Sequence, residues 1–162
     1  MTDTLTIEIL NKLIAFPTVS RDSNLELMNW VEDFLDERGF TCHRVPDPTG
    51  QKAGLFARIG PEGDGGIMLS AHSDVVPVDG QDWASDPFRM MRQDGRLYGR
   101  GACDMKGFLA CMLALADQAA HLTLREPFKL AISYDEEFGC LGINHMIEQL
   151  APSIGLPKFC IV

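Results

Sequence analysis

Three short stretches hold the residues whose types and spacing suit chemistry. LSAHSDVVPVDG sets His72 and Asp74 two apart at the end of an apolar run. YGRGACDMKG sets Asp104 ahead of a helical pattern, and SYDEEFG sets Asp135, Glu136 and Glu137 after a second apolar run. A histidine with nearby carboxylates suits zinc or a similar borderline divalent metal. In extended chain His72 and Asp74 point to the same side, because side chains alternate with a period of two. Asp74 can then hold the imidazole nitrogen that faces away from the metal, fixing its tautomer. Asp104 has two readings, a helix N-cap or a carboxylate bridging two ions. Glu136-Glu137 also has two. The pair either caps the next helix, or one carboxylate ligates metal while the other takes a proton from a water whose pKa a metal lowers to about 7. Each stretch alone is explained at least as well by the plainer reading.

The elements that must position these residues follow from periodicity. Leu5, Ile9 and Leu13 fit one face of a helix over 4–15, which Phe16-Pro17 ends. Ser23 or Asn24 is expected to cap a second helix carrying Leu27, Trp30, Val31, Phe34 and Leu35, with Gly39 as its stop. Strands are expected over 40–45, 55–59, 67–71, 128–134 and 158–162, with a short hairpin around Gly95. Helices are expected over 104–121 and 141–150. Strands alternating with helices predict an α/β fold with a mostly parallel central sheet and flanking helices. Ligands of such sheets sit beyond the carboxyl ends of the strands. His72 and Asp74 follow one strand, the 135–137 acidic run follows another, and Asp104 opens the helix between them. All three groups therefore converge on one end of the sheet.

Composition narrows the partners. A net charge of −9 disfavours nucleic acid, which needs clustered Lys and Arg. No apolar run reaches the ~18 residues of a membrane span. The start, MTDTLTIEILNK, lacks the basic head and cleavage site of a secretory signal, so the default expectation is a cytoplasmic protein without a membrane partner. Five cysteines without a CxxC pair read as free thiols. The glycines near Asp104 spell GxGxxD, not GxGxxG, and the chain has no GxxxxGK, so a nucleotide loop is weakly supported.

Taken in order, SAHSDVVPVDG, DWASDPF, DGRLYGRGACDMKG and SYDEEFGCLG resemble the co-catalytic zinc hydrolases that include aminoacylase, succinyl-diaminopimelate desuccinylase and carboxypeptidase G. The resemblance implies roles that spacing alone leaves open. His72 would ligate one metal, Asp104 bridge two, and Glu137 ligate the second. Glu136 would be the general base and Asp74 would orient His72. The link from Asp104 to Met105 would be a cis peptide. The cofactor would be Zn²⁺, two per complete site, with Co²⁺ as a substitute. A hydroxide on the metals would attack the amide of a small N-acyl amino acid. The expected reaction is deacetylation of N2-acetylornithine, in arginine biosynthesis.

The resemblance also implies a partial domain. Family members carry a further acidic ligand after the strand at 158–162, a last histidine ligand, and an inserted lid that usually makes a homodimer. The expectation for 1–162 is therefore the N-terminal portion of a zinc-aminopeptidase-like catalytic domain, without the lid. It has an incomplete metal shell and an exposed apolar edge prone to self-association. The alternative is a non-catalytic truncated fragment that binds a metal or a partner.

Overall fold

The computed structural model describes residues 2–162, with side chains from residue 4 onward. Helix α1 (Thr2–Ile14) and helix α2 (Leu25–Asp36) precede a hairpin of β1 (Thr41–Pro46) and β2 (Ala53–Ile59). Next come β3 (Ile67–His72), the small hairpin β4 (Met91–Gln93) and β5 (Arg96–Tyr98), and helix α3 (Lys106–Ala119). The chain continues through β6 (Phe128–Ser133), α4 (Ile143–Ile154) and β7 (Phe159–Ile161). The β4–β5 turn is Asp94-Gly95, with φ of 50° and 74°. Two successive positive φ values are what a tight hairpin turn asks for, and Asp-Gly supplies them readily.

The large sheet has the order β1-β2-β6-β3-β7. β3 pairs in parallel with β6 and β7, whereas β2 is antiparallel to both β1 and β6. Four strands thus share one direction and β2 opposes them. From β3 the chain crosses through α3 to β6 on one side, then returns through α4 to β7 on the other. Crossovers of one hand that run in opposite directions place their helices on opposite faces of a sheet. Accordingly, α1, α2 and α3 pack on the face of Leu55, Leu69, Leu130 and Ile132. Helix α4 packs Met146, Leu150 and Ile154 on the face of Phe56, Met68 and Ala131. The chains leaving adjacent strands β3 and β6 therefore diverge, opening a crevice at their carboxyl ends where ligands of open α/β sheets bind.

Ser23 Oγ accepts from Leu25 N at 3.3 Å where α2 begins. Asn24 is the N-cap residue of α2 but makes no capping hydrogen bond. Its amide donates to Ala53 O at 2.8 Å and Ser73 Oγ at 2.9 Å, while its Oδ1 accepts from Ala53 N. Asp104 does not cap α3, whose N-cap residue is Met105. The two edge strands differ in cover: β7 is exposed along its length, with Phe159 at 58% and Ile161 at 45%. Among the described residues, no helix is long and apolar enough to cross a membrane.

Candidate metal centre

His72 is the last residue of β3 and lies beside Ser133, the last residue of β6. This register sets the histidine at the mouth of the crevice, with its side chain buried at 5% exposure. Nδ1 lies 3.0 Å from the backbone carbonyl of Asp74 and 3.5 Å from its carboxylate. A proton on Nδ1 is thus held by the chain two residues on, and Nε2 faces outward. Nε2 is 3.2 Å from Asp104 Oδ1 and 3.6 Å from Glu136 Oε2. Donor atoms of His72, Asp104 and Glu137 all lie within 4.8 Å of one another. One nitrogen and two carboxylates at that separation suit a small divalent cation. The Asp104–Met105 peptide is cis.

The three stretches found in the sequence thus meet in space. The plainer reading of the acidic run also fails, because α4 starts at Ile143 with Gly142 as its N-cap residue and no side-chain cap. Glu136 and Glu137 sit in the turn after β6, facing β3. A cavity of about 380 Å³ opens here, lined by Ser70, His72, Asp104, Met105, Glu136 and Cys140. Cys103, beside Asp104 in sequence, is exposed, and it is Cys140 whose Sγ lies 3.7 Å from Glu136 Oε1.

Asp74 does more than face the histidine. Its Oδ1 accepts from Glu136 N at 3.1 Å, and its Oδ2 accepts from Glu137 N at 3.3 Å and Ser20 Oγ at 2.6 Å. One buried carboxylate therefore fixes both glutamates by their backbone. Burial works to raise the Asp74 pKa, but the imidazole, the Ser20 hydroxyl and the Glu136 amide outweigh it and hold the group below the usual range. Burial likewise opposes a charge on His72, yet Asp74 and Asp104 overcome it and lift the imidazole to about 9. Glu137 is pushed up by burial and then by the charge of Asp104. A cluster of carboxylates around a charged imidazole is what a cation site resembles before a metal takes the place of the proton.

Lys106, two residues after Asp104, has no visible signal in the sequence. It is fully buried, and its Nζ donates to Leu13 O at 2.9 Å and Phe16 O at 2.6 Å. It ties the start of α3 to the end of α1, and burial lowers its pKa to about 7. The glycines near Asp104 serve the same packing. A Cβ on Gly99 would lie 2.9 Å from Ile14 side-chain atoms, and one on Gly107 would lie 2.4 Å from Ala102 O.

Residues 68–161 match the model of peptidase family M20/M25/M40. The chain belongs to that family. An acetylornithine deacetylase of Shigella sonnei (strain Ss046) is 36% identical over 152 residues, which is 90% of this chain and 39% of that protein. Human carnosine dipeptidase 1 superposes with a TM-score of 0.77 at 23% identity, over 96% of this chain and 38% of that one. The M20 family metallo-carboxypeptidase Sso-CP2 of Sulfolobus solfataricus does so with 0.75 at 21% identity, over 94% and 37%. The M20 chain thus spans about two-fifths of the length of each of these three relatives. The structural likenesses establish the fold: a mixed α/β architecture with a central sheet and flanking helices.

Proposed function

We propose that His72, Asp104 and Glu137 hold Zn²⁺ in an amide hydrolase that removes acetate from N2-acetylornithine. The observation that carries this reading is the convergence of donor atoms of His72, Asp104 and Glu137 within 4.8 Å of one another, at the crevice between β3 and β6. The identity to an acetylornithine deacetylase supports the substrate. When bound, zinc supplies a Lewis acid for the amide carbonyl and an acidified water. His72 binds through Nε2, with Asp74 keeping the other ring nitrogen protonated. Asp104 and Glu137 bring the negative charge. Glu136, about half exposed in the cavity, takes up the water's proton and hands it to the leaving amine. Cobalt would occupy the same donor set.

Two ions sharing three side-chain donors have fewer than the three protein ligands a catalytic zinc usually keeps. The reading therefore assigns further donors to segments outside residues 1–162, in keeping with the 39% span of the deacetylase relative. A single ion on the same triad is the second reading, and metal stoichiometry separates the two.

The test pairs metal content with turnover. After dialysis against Zn²⁺, wild type is expected to retain metal and His72→Ala to lose it. Glu136→Gln should keep the metal while acetate release from N2-acetylornithine falls ~10²–10⁴-fold. Wild type that retains no more zinc than His72→Ala, or unaltered turnover in Glu136→Gln, would sink the proposal.

A further inference from the structure

The turn that carries Glu136 and Glu137 is held from a part of the chain lying outside the family match at 68–161. In the β2–β6 ladder Leu55 faces Ile132. Continuing that antiparallel register by three residues sets Lys52 opposite Asp135. The side chains follow the register: Lys52 Nζ lies 2.5 Å from Asp135 Oδ1, and each side chain is 16% exposed. Asp135 needs a firm hold, because its φ is +54°, in a region that side-chain-bearing residues rarely occupy. It directly precedes the two glutamates.

Lys52 has a second partner. Its Nζ also donates to Ser20 O. Ser20 turns its hydroxyl to Asp74 Oδ2 at 2.6 Å, and Asp74 in turn accepts from the Glu136 and Glu137 amides. Ser20 is itself fixed, since Ser20 N donates to Val75 O at 3.1 Å. Lys52 is fixed too, since its backbone N–H donates to Asp47 Oδ1 at 2.8 Å in the β1–β2 turn. The circuit therefore closes on the glutamates from both ends. One arm runs from Lys52 to Asp135, and the other from Lys52 through Ser20 to Asp74.

We propose that Lys52 and Ser20 are positioning residues: together they clamp the 135–137 turn so that Glu137 meets His72 and Asp104, and Glu136 faces the cavity. Neither touches the donor atoms, and both act through Asp135 and Asp74. The consequence for metal binding rests on the reading of the preceding section. The clamping itself does not.

Lys52→Met, Lys52→Arg and Ser20→Ala in the 162-residue chain test this with two readouts. The first is titration with Co²⁺, followed by its visible absorption band. Lys52→Met is expected to weaken Co²⁺ binding ~10–100-fold and to alter the band, as loss of an outer partner does elsewhere. Lys52→Arg should restore most of both, which a general loss of stability would not explain. The second readout is amide hydrogen exchange at Glu136 and Glu137 without metal, expected to quicken at least ~10-fold in Lys52→Met. If Lys52→Met does not fold, Ser20→Ala cuts only the Asp74 arm and is expected to shift both readouts in the same direction. A folded Lys52→Met or Ser20→Ala with wild-type exchange at both glutamates overturns the clamp. Co²⁺ binding equal in wild type and His72→Ala overturns the metal reading alone, and exchange still decides the clamp.

Discussion

Toward α1, α2 and α3, the central strands present Leu55, Ala57, Leu69, Leu130 and Ile132, all apolar and buried. On the other face the same strands present Phe56, Arg58, Met68, Lys129 and Ala131, under α4. Arg58 and Lys129 are direct cross-strand partners, so two cations lie side by side within a sheet. Each is satisfied by loop carbonyls. Arg58 donates to Gly60 O at 2.9 Å, and Lys129 donates to Gly63 O and Leu156 O at 3.0 Å each. One face thus excludes water with three helices. The other uses buried cations to fasten the β2–β3 loop, and its final residue on β3 is His72. The division of labour explains how a small domain affords a polar crevice: the apolar face carries the stability while the face under α4 carries polar groups.

Truncating a core leucine on each face probes that division most strongly. Leu113 on α3 has no exposure, whereas Leu150 on α4 retains 8%. Leu113→Ala is expected to cost about 3 kcal/mol and Leu150→Ala about 2 kcal/mol, since the less enclosed site loses less and relaxes more. Urea unfolding monitored by circular dichroism measures both. Equal losses would show that α4 closes its face as tightly as the three helices close theirs.

The second probe uses charge. Lys129 is fully buried, and burial, reinforced by Arg58 and opposed by Asp64, lowers its pKa below the ordinary lysine value. The unfolded chain then holds the Lys129 proton to higher pH than the folded chain does. Stability therefore rises with pH between the folded and unfolded pKa values, by at most about 1.4 kcal/mol per pH unit from this group. Below that window the lysine is charged in both states and the cost of burying the charge is borne in full. Lys129→Met should flatten the alkaline rise relative to wild type in paired urea titrations. A difference between the two proteins that does not change from neutral pH to pH 10 would remove the buried cation from the account.

His72, Asp104 and the two glutamates were legible in the sequence because strand ends and a helix start fix them locally. So were the elements, apart from shifts of one to four residues at their ends. The residues that hold them were not. Ser20, Lys52 and Lys106 act across separations of 54, 83 and 90 or more residues. A single sequence carries no pair distances. Lys52 ends the turn-rich stretch PDPTGQK between the first two strands, and Asn24 reads as a cap because its type suits one. Lys129 lies at an alternating position in FKLAIS, where a lysine ordinarily marks a solvent face. The loop carbonyls of Gly63 and Leu156 satisfy its ammonium there, which the sequence pattern does not show.

The smallest expected change in stability belongs to the sheet's β7 edge, and it sharpens the contrast in a different way. Phe159 is 58% exposed, Ile161 45% and Val162 82%, while Leu115 and Leu122 stand exposed nearby on and after α3. Side chains that gain little from the folded state lose little when replaced, so Phe159→Lys should alter unfolding free energy by no more than about 0.5 kcal/mol. An unpaired strand edge with apolar residues on both faces is nonetheless a template for another chain, and a lysine there discourages pairing. Sedimentation velocity over a range of concentrations should therefore show association in wild type that Phe159→Lys suppresses. A wild type that stays monomeric throughout would show that exposure at this edge is tolerated. Suppression without a stability change would separate what holds this fold together from what it leaves open to contact.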